Sequence, residues 1–153
     1  MNIASILEYF AGFHPDYTAI ICGDDGREFT WQEFNTLANQ CAHAFADLGV
    51  QRGDRVAVYL PNSPEYLIVF FAIAKLGAVI TPFNILFKSG EISYILNNSR
   101  AKILVGASAE VKANVLNLGQ EVPYLEKIIT CGEPVDGTEN LETFIAQYAD
   151  TFD

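Results

Sequence analysis

Basic residues are scarce in this sequence. Nine lysines and arginines stand against 19 aspartates and glutamates, for a formal net charge of −10. A chain this acidic repels phosphate backbones, which argues against nucleic acid as a partner. It does not exclude anionic cofactors, which bind local loops and helix ends rather than the global field. Cysteine is sparse as well. Cys22, Cys41 and Cys131 lie far apart and make neither a CxxC pair nor a metal-ligand spacing. An odd count, with no basic n-region in "MNIASILEYFAGFHP" and with Glu8 breaking its apolar residues, leads to the expectation of a reducing, cytoplasmic setting.

Long apolar runs are also missing. The most apolar stretch, Leu67 to Ile80, carries a single charge, Lys75. A spanning helix needs about 20 apolar residues. This run is split by Gly77, closed by Thr81-Pro82, and flanked by no basic cluster. It is expected to be a buried core element, so no transmembrane segment is assigned. Nucleotide motifs are absent too. No GxGxxG follows any strand, and there is no GxxxxGK[ST]. His14 and His43 are far apart; one precedes Pro15 and the other falls on the polar face of a helix, so both are expected at the solvent. No Ser, Thr or Cys has a visible base partner. Neither a catalytic residue nor a metal site is expected within the chain.

What is present is a regular alternation of elements. Half of the 153 residues are hydrophobic, enough for one domain or part of a larger one that buries about two-thirds of its unfolded surface. Residues 3–13 carry a helical apolar spacing that Pro15 ends. "TAIICG" and "REFT" flank the turn Asp24–Gly26 and read as a hairpin. Thr30 and Glu33 form a capping box. The helix behind it steps through Phe34, Leu37, Cys41, Phe45 and Leu48 to Gly49. Arg52–Asp54 reads as a turn; the adhesion reading of "RGD" is rejected, since a buried strand follows. Then come a strand at Arg55–Leu60, a helix at Pro64–Leu76 and a strand at Ala78–Thr81. These strands are continuous apolar runs, the mark of a parallel sheet covered on both faces. The alternation continues with a helix at Ser89–Asn97, a strand at Ala101–Gly106 and a helix capped by Ser108 and running to Leu118. A strand at Glu126–Thr130, a polar loop at Cys131–Asn140 and a short helix at Leu141–Ala149 complete it. The expected class is α/β, a mainly parallel sheet flanked by helices with an N-terminal hairpin. The six acidic residues after Lys127 read as a solvated segment or linker.

The segment order resembles the N-terminal part of adenylate-forming (AMP-binding) enzymes, the superfamily of acyl-CoA synthetases, luciferases and peptide-synthetase adenylation domains. Four elements carry the resemblance from Phe29 to about Val105: "TWQEF", "GVQRGDRVAVYLPNSPEY", "AKLGAVITPFN" and "SGEISYIL". The Pro-Phe-Asn form at Pro82–Asn84 resembles acyl- or aryl-CoA synthetases, the ligases of fatty-acid and related metabolism. The resemblance implies a parent that joins a carboxylic acid to CoA using ATP and magnesium. It also implies that the phosphate loop, the adenine and ribose contacts, the magnesium glutamate and the catalytic lysine lie beyond Asp153. The chain is therefore expected to be an inactive fragment that binds no cofactor alone. Its expected parts are 1–29 (helix and hairpin), 30–131 (α/β subdomain) and 132–153 (acidic loop and short helix). Thr81, Pro82, Phe83 and Asn84 leave the end of a parallel strand and could wall an acyl or pantetheine channel. The other reading of these four is a Pro-fixed turn whose Asn bonds its own backbone. Uncovered surfaces are expected to make the fragment self-associate, with disorder expected near the N-terminus or the acidic tail. The competing class is a self-standing binding module. A flavodoxin-like nucleotide domain fits less well, since no phosphate loop is present.

Overall fold

The computed structural model describes residues 2–152 of the chain. Helix α1 (Ala4–Phe13) leads into an antiparallel hairpin, β1 (Thr18–Ile21) and β2 (Glu28–Thr30). Helix α2 (Trp31–Asp47) starts at the capping box: the Thr30 hydroxyl accepts from the Glu33 N–H, and the Glu33 carboxylate accepts from the Thr30 N–H. Next follow β3 (Arg55–Tyr59), α3 (Pro64–Lys75), β4 (Val79–Pro82), α4 (Ser89–Ser99), β5 (Ile103–Ala107) and α5 (Ser108–Asn114). The described chain closes with β6 (Lys127–Cys131), β7 (Glu139–Asn140) and α6 (Leu141–Ile145).

Strands β3 to β7 form one five-stranded, all-parallel sheet in the order β4-β3-β5-β6-β7. Alternate residues of each strand feed two cores. Val56, Val58, Ile103, Val105 and Ile129 pack under α2, α3 and α6. Ala57, Tyr59 and Leu104 pack under α4 and α5, against Ile92, Leu96, Val111 and Val115. Coverage of both faces explains why the central strands β3 and β5 are buried along nearly their whole length. The Leu67–Ile80 stretch is α3 with the start of β4. Its one charge, Lys75, has a side chain only 2% exposed and donates to Glu8 of α1 at 2.7 Å. Among the described residues no helix is long and apolar enough to cross a membrane. Arg52–Asp54 is a turn: Gly53 has φ +86°, its N–H donates to the Gly77 carbonyl, and Asp54 accepts from Gln51 N–H and Lys102.

Several elements depart from the sequence reading. Helix α5 stops at Asn114 instead of Leu118. The N–H groups of Val115 and Leu116 both bond the Val111 carbonyl, and a 3₁₀ turn at Gly119–Glu121 follows. Val115, Leu118 and Val122 are still buried, so the apolar spacing is satisfied by turns. Ser108 is the first residue of α5 and not its cap; its hydroxyl donates to the Cys131 carbonyl at 3.0 Å and ties α5 to β6. The loop from Cys131 to Asn140 contains the fifth strand, β7, which pairs with Ile129 and Thr130. Only two residues long and polar, β7 gives no apolar signal.

The acidic tail is a docked surface segment and not a free linker: Glu133, Asp136, Glu139, Glu142 and Asp150 are exposed, as expected, while its apolar residues pack inward. Leu141 and Ile145 are buried. Past α6 the chain lies along α2, whose polar side chains donate to its carbonyls: Gln40 to Tyr148 at 3.2 Å and Asn39 to Asp150 at 2.6 Å. His43 is half-buried there, with its ring nitrogen 2.6 Å from the Thr151 carbonyl and its ring edge-on to Phe152. His14 is exposed, as expected. Helix α1 is apolar on two sides. Leu7 is fully buried, while Ile3, Ile6, Tyr9 and Phe13 point outward, each at least half exposed.

Candidate functional site

Strand order reverses between β3 and β5. From β3 the chain steps to β4 on one side, then returns to add β5, β6 and β7 on the other. Such a switch point, at the carboxyl ends of the strands, is where open α/β sheets hold ligands. The four residues singled out from sequence leave β4 at this end. Thr81 is half-buried within the strand, paired with Ala57, and Pro82 pairs with Val58. Phe83 stacks on the Tyr59 ring with centroids 4.9 Å apart. Asn84 is exposed; its side-chain oxygen accepts from the Leu86 N–H at 2.9 Å, and its carbonyl accepts from the Phe87 N–H. That is the self-bonding Asn turn. Pro82, Phe83 and Asn84 nonetheless form one wall of an open cleft of ≈ 490 Å³, with Leu60, Asn62 and Tyr66 opposite. Thr81 is not part of that wall.

A buried network beneath the cleft fixes this segment, and no motif in the chain announces it. Tyr59 is fully buried. Its hydroxyl donates to the Phe87 carbonyl at 2.7 Å and accepts from the Asn114 amide at 3.2 Å. Burial pushes the phenol above its ordinary range, helped by Glu110 and Glu91, and outweighs the Asn114 bond. The group therefore stays protonated and keeps donating. Ser89 adds a bond to the Asn114 carbonyl. One aromatic residue thus holds the Phe83–Phe87 segment by ring stacking and by its hydroxyl. Tyr59→Phe keeps the ring and strands two polar groups, so it is expected to cost about 1–3 kcal/mol. Urea unfolding measures that loss, and an unchanged midpoint would show that water replaces the hydroxyl.

The hairpin is latched to the same edge. Arg27 donates to Asp25 at 2.6 Å and to Glu65, in the first turn of α3, at 2.5 Å. The main-chain N–H of Arg27, then Cys22 and the guanidinium, lower the Asp25 carboxyl to about 2. Burial pushes Glu65 up, but Arg27 and the residue's own N–H outweigh it and leave it below the ordinary range. Burial, with the Glu65 charge adding, lifts the Cys131 thiol at the end of β6 to about 12. All three cysteines are free.

Two of the helix starts at this edge, those of α3 and α6, do not suit a triphosphate. Ser63 and Asn140 side chains already cap α3 and α6, and the Glu65 carboxylate engages its own N–H. A phosphate arriving there meets a carboxylate instead of free amides. Among the described residues no cluster of three metal-ligating side chains occurs.

The family described as AMP-binding enzyme matches residues 7–149. The crotonobetaine/carnitine–CoA ligase of Salmonella typhimurium is 36% identical over 107 residues, covering 68% of this chain and 21% of the relative. The long-chain-fatty-acid–CoA ligase FadD13 of Mycobacterium tuberculosis is 38% identical over 104 residues, with the same coverage. The chain thus spans about a fifth of the length of these curated relatives. Among solved structures, an anthranilate CoA ligase in complex with anthranoyl-AMP superposes with a TM-score of 0.91 at 29% identity. That match covers 100% of this chain and 28% of the other. The N-terminal domain of FACL13 from Mycobacterium tuberculosis gives a TM-score of 0.86 at 28% identity, covering 99% and 37%. With nearly its whole length matched by one family and its fold shared with the N-terminal parts of these ligases, the chain belongs to the AMP-binding enzyme family.

Proposed function

We propose that this chain is the N-terminal α/β portion of an AMP-forming acyl-CoA or aryl-CoA ligase. The carrying observation is the family match over residues 7–149 to relatives that are CoA ligases. The complete enzyme would join a carboxylate to ATP, giving acyl-adenylate and pyrophosphate. The CoA thiol would then displace AMP to give the thioester. In this reading the chain supplies scaffold: a parallel sheet whose switch-point edge supports part of a substrate channel, with Pro82–Asn84 in its wall. ATP, magnesium and CoA are assigned to the complete enzyme, and this chain is assigned no catalytic residue. A reducing cytoplasmic setting suits its three free thiols.

Calorimetry with ATP and an ATP–pyrophosphate exchange assay test this reading. No binding heat and no exchange are expected with any carboxylic acid. Tight ATP binding by these residues would overturn the fragment reading. A second reading, a self-standing interaction module, draws on the fact that the five-stranded sheet fills both of its own cores. The reading frame beyond Asp153 separates the two. Continuation into a Ser/Thr/Gly-rich loop ending in Pro-Lys-Gly supports the ligase, and a stop codon supports the module.

Self-association forms part of the same proposal. The outward face of α1 presents Ile3, Ile6, Tyr9 and Phe13, and a helix apolar on both sides is stable only when covered on both. Light scattering is expected to show concentration-dependent growth in mass. A monomer at all concentrations would count against it.

A further inference from the structure

A second concavity opens at the same edge of the sheet, between the hairpin, α2, α3 and α6. It measures ≈ 290 Å³, at the lower end of the size of small-molecule sites. Its floor is apolar: Leu37 from α2, Ile68 from α3, and Leu141 and Ile145 from α6. Phe29 forms a side wall, with the Arg27 guanidinium 5.9 Å from its ring centre. An apolar floor of this kind favours a guest that covers it with apolar surface.

The rim decides which guest. Among the described residues its one cation is Arg27, and that charge is already matched by Asp25 and Glu65. Glu142 adds a further carboxylate. The Asn140 side chain is engaged with the Gly132 carbonyl and the Thr143 N–H, and Cys131 remains a neutral thiol. An incoming carboxylate or phosphate therefore meets net negative charge with no free cation. The guanidinium has five N–H groups, and the bonds to Asp25 and Glu65 engage Nε and Nη1. A neutral carbonyl or hydroxyl oxygen can still accept from it. We infer that the hollow between Arg27, Phe29, Ile68 and Ile145 is a binding site for an uncharged aromatic or short aliphatic molecule bearing one hydrogen-bond acceptor. This assignment stands independently of the ligase reading, whose substrate is a carboxylate.

Acetophenone and benzoate provide the test, being nearly equal in size and different in charge. Each is titrated into the chain, up to the solubility of acetophenone, while the methyl resonances of Leu37, Ile68, Leu141 and Ile145 are followed. Acetophenone is expected to shift these four residues in a saturable way, and benzoate to bind at least tenfold more weakly. Glu65→Gln removes one rim carboxylate and is expected to narrow that gap at least fivefold. Ile68→Phe fills the hollow and is expected to abolish the acetophenone shifts. Should that variant fail to fold, the wild-type and Glu65→Gln titrations still decide the matter. The proposal fails if acetophenone leaves the four residues unmoved, if benzoate binds as tightly, or if Glu65→Gln leaves the preference unchanged.

Discussion

Replacing Phe45 with alanine is expected to destabilise the chain by about 3–5 kcal/mol. Phe45 is fully buried in the core on the α2 side of the sheet. Helix α2 is the common neighbour of that half of the molecule, packing against α1, α3, the hairpin and α6. Truncating the ring removes transfer free energy and leaves a cavity in a fully buried part of the core. Total stabilities of about 5–15 kcal/mol make such a loss a large share of the whole. Urea unfolding followed by circular dichroism should show a much lower midpoint with little change in slope. Gln32→Ala, at an exposed position of the same helix, should change stability by no more than about 0.5 kcal/mol. A Phe45→Ala loss below about 1 kcal/mol would mean that the elements around α2 close the gap freely.

Gly106→Ala is expected to cost about 1–3 kcal/mol, and Gly106→Val more. The cause is space alone, since the backbone at this position is not in the left-handed region. A Cβ on Gly106 would lie 2.5 Å from Val111 Cγ2, 3.2 Å from Leu104 Cδ2 and 3.4 Å from the Tyr59 carbonyl oxygen. Val111 and Leu104 are both fully buried, so neither can swing away. The missing side chain lets α5 begin directly at the end of β5 and lie close on the sheet. Combining Gly106→Ala with Val111→Ala should recover part of the loss, and a double-mutant cycle should give a coupling of about 1 kcal/mol or more. Gly23→Ala makes the contrast: nothing lies within 4 Å and φ is not positive, so it should be neutral or slightly stabilising.

The parts of this fold that were legible from sequence are those where one physical signal dominates. Continuous apolar runs at Arg55–Tyr59 and Ile103–Ala107 identify strands covered on both faces. The Thr30–Glu33 pair marks the start of α2 to the residue. The parts that were not legible depend on partners distant in the chain. Strand β7 exists because Thr130 and Ile129 offer it a ladder, which its own two residues do not reveal. Ser108 resembles a helix cap in isolation, yet the nearby Cys131 carbonyl claims its hydroxyl. Asn39, His43 and Gln40 look like a solvent face until the tail lies down on them. At the candidate site, the strand end at Thr81–Asn84 could be located from the α/β pattern. The role of Tyr59 could not, because a tyrosine at the end of an apolar strand gives no indication that its hydroxyl meets residues 87 and 114.

The strand order carries a consequence for how the protein is made. Synthesis proceeds from the N-terminus and domains fold as they emerge. Strand β3 leaves the ribosome first among the five, yet it ends up second from one edge, with β4 and β5 on its two sides. The nascent sheet therefore grows outward from an early strand: β4 pairs on one flank and becomes that edge of the sheet, and β5, β6 and β7 are laid down in turn on the other. On the growing flank each newly placed strand waits for the next one to be translated. The last addition, β7, is two residues long, and so short a border gives a neighbouring nascent chain little to pair with.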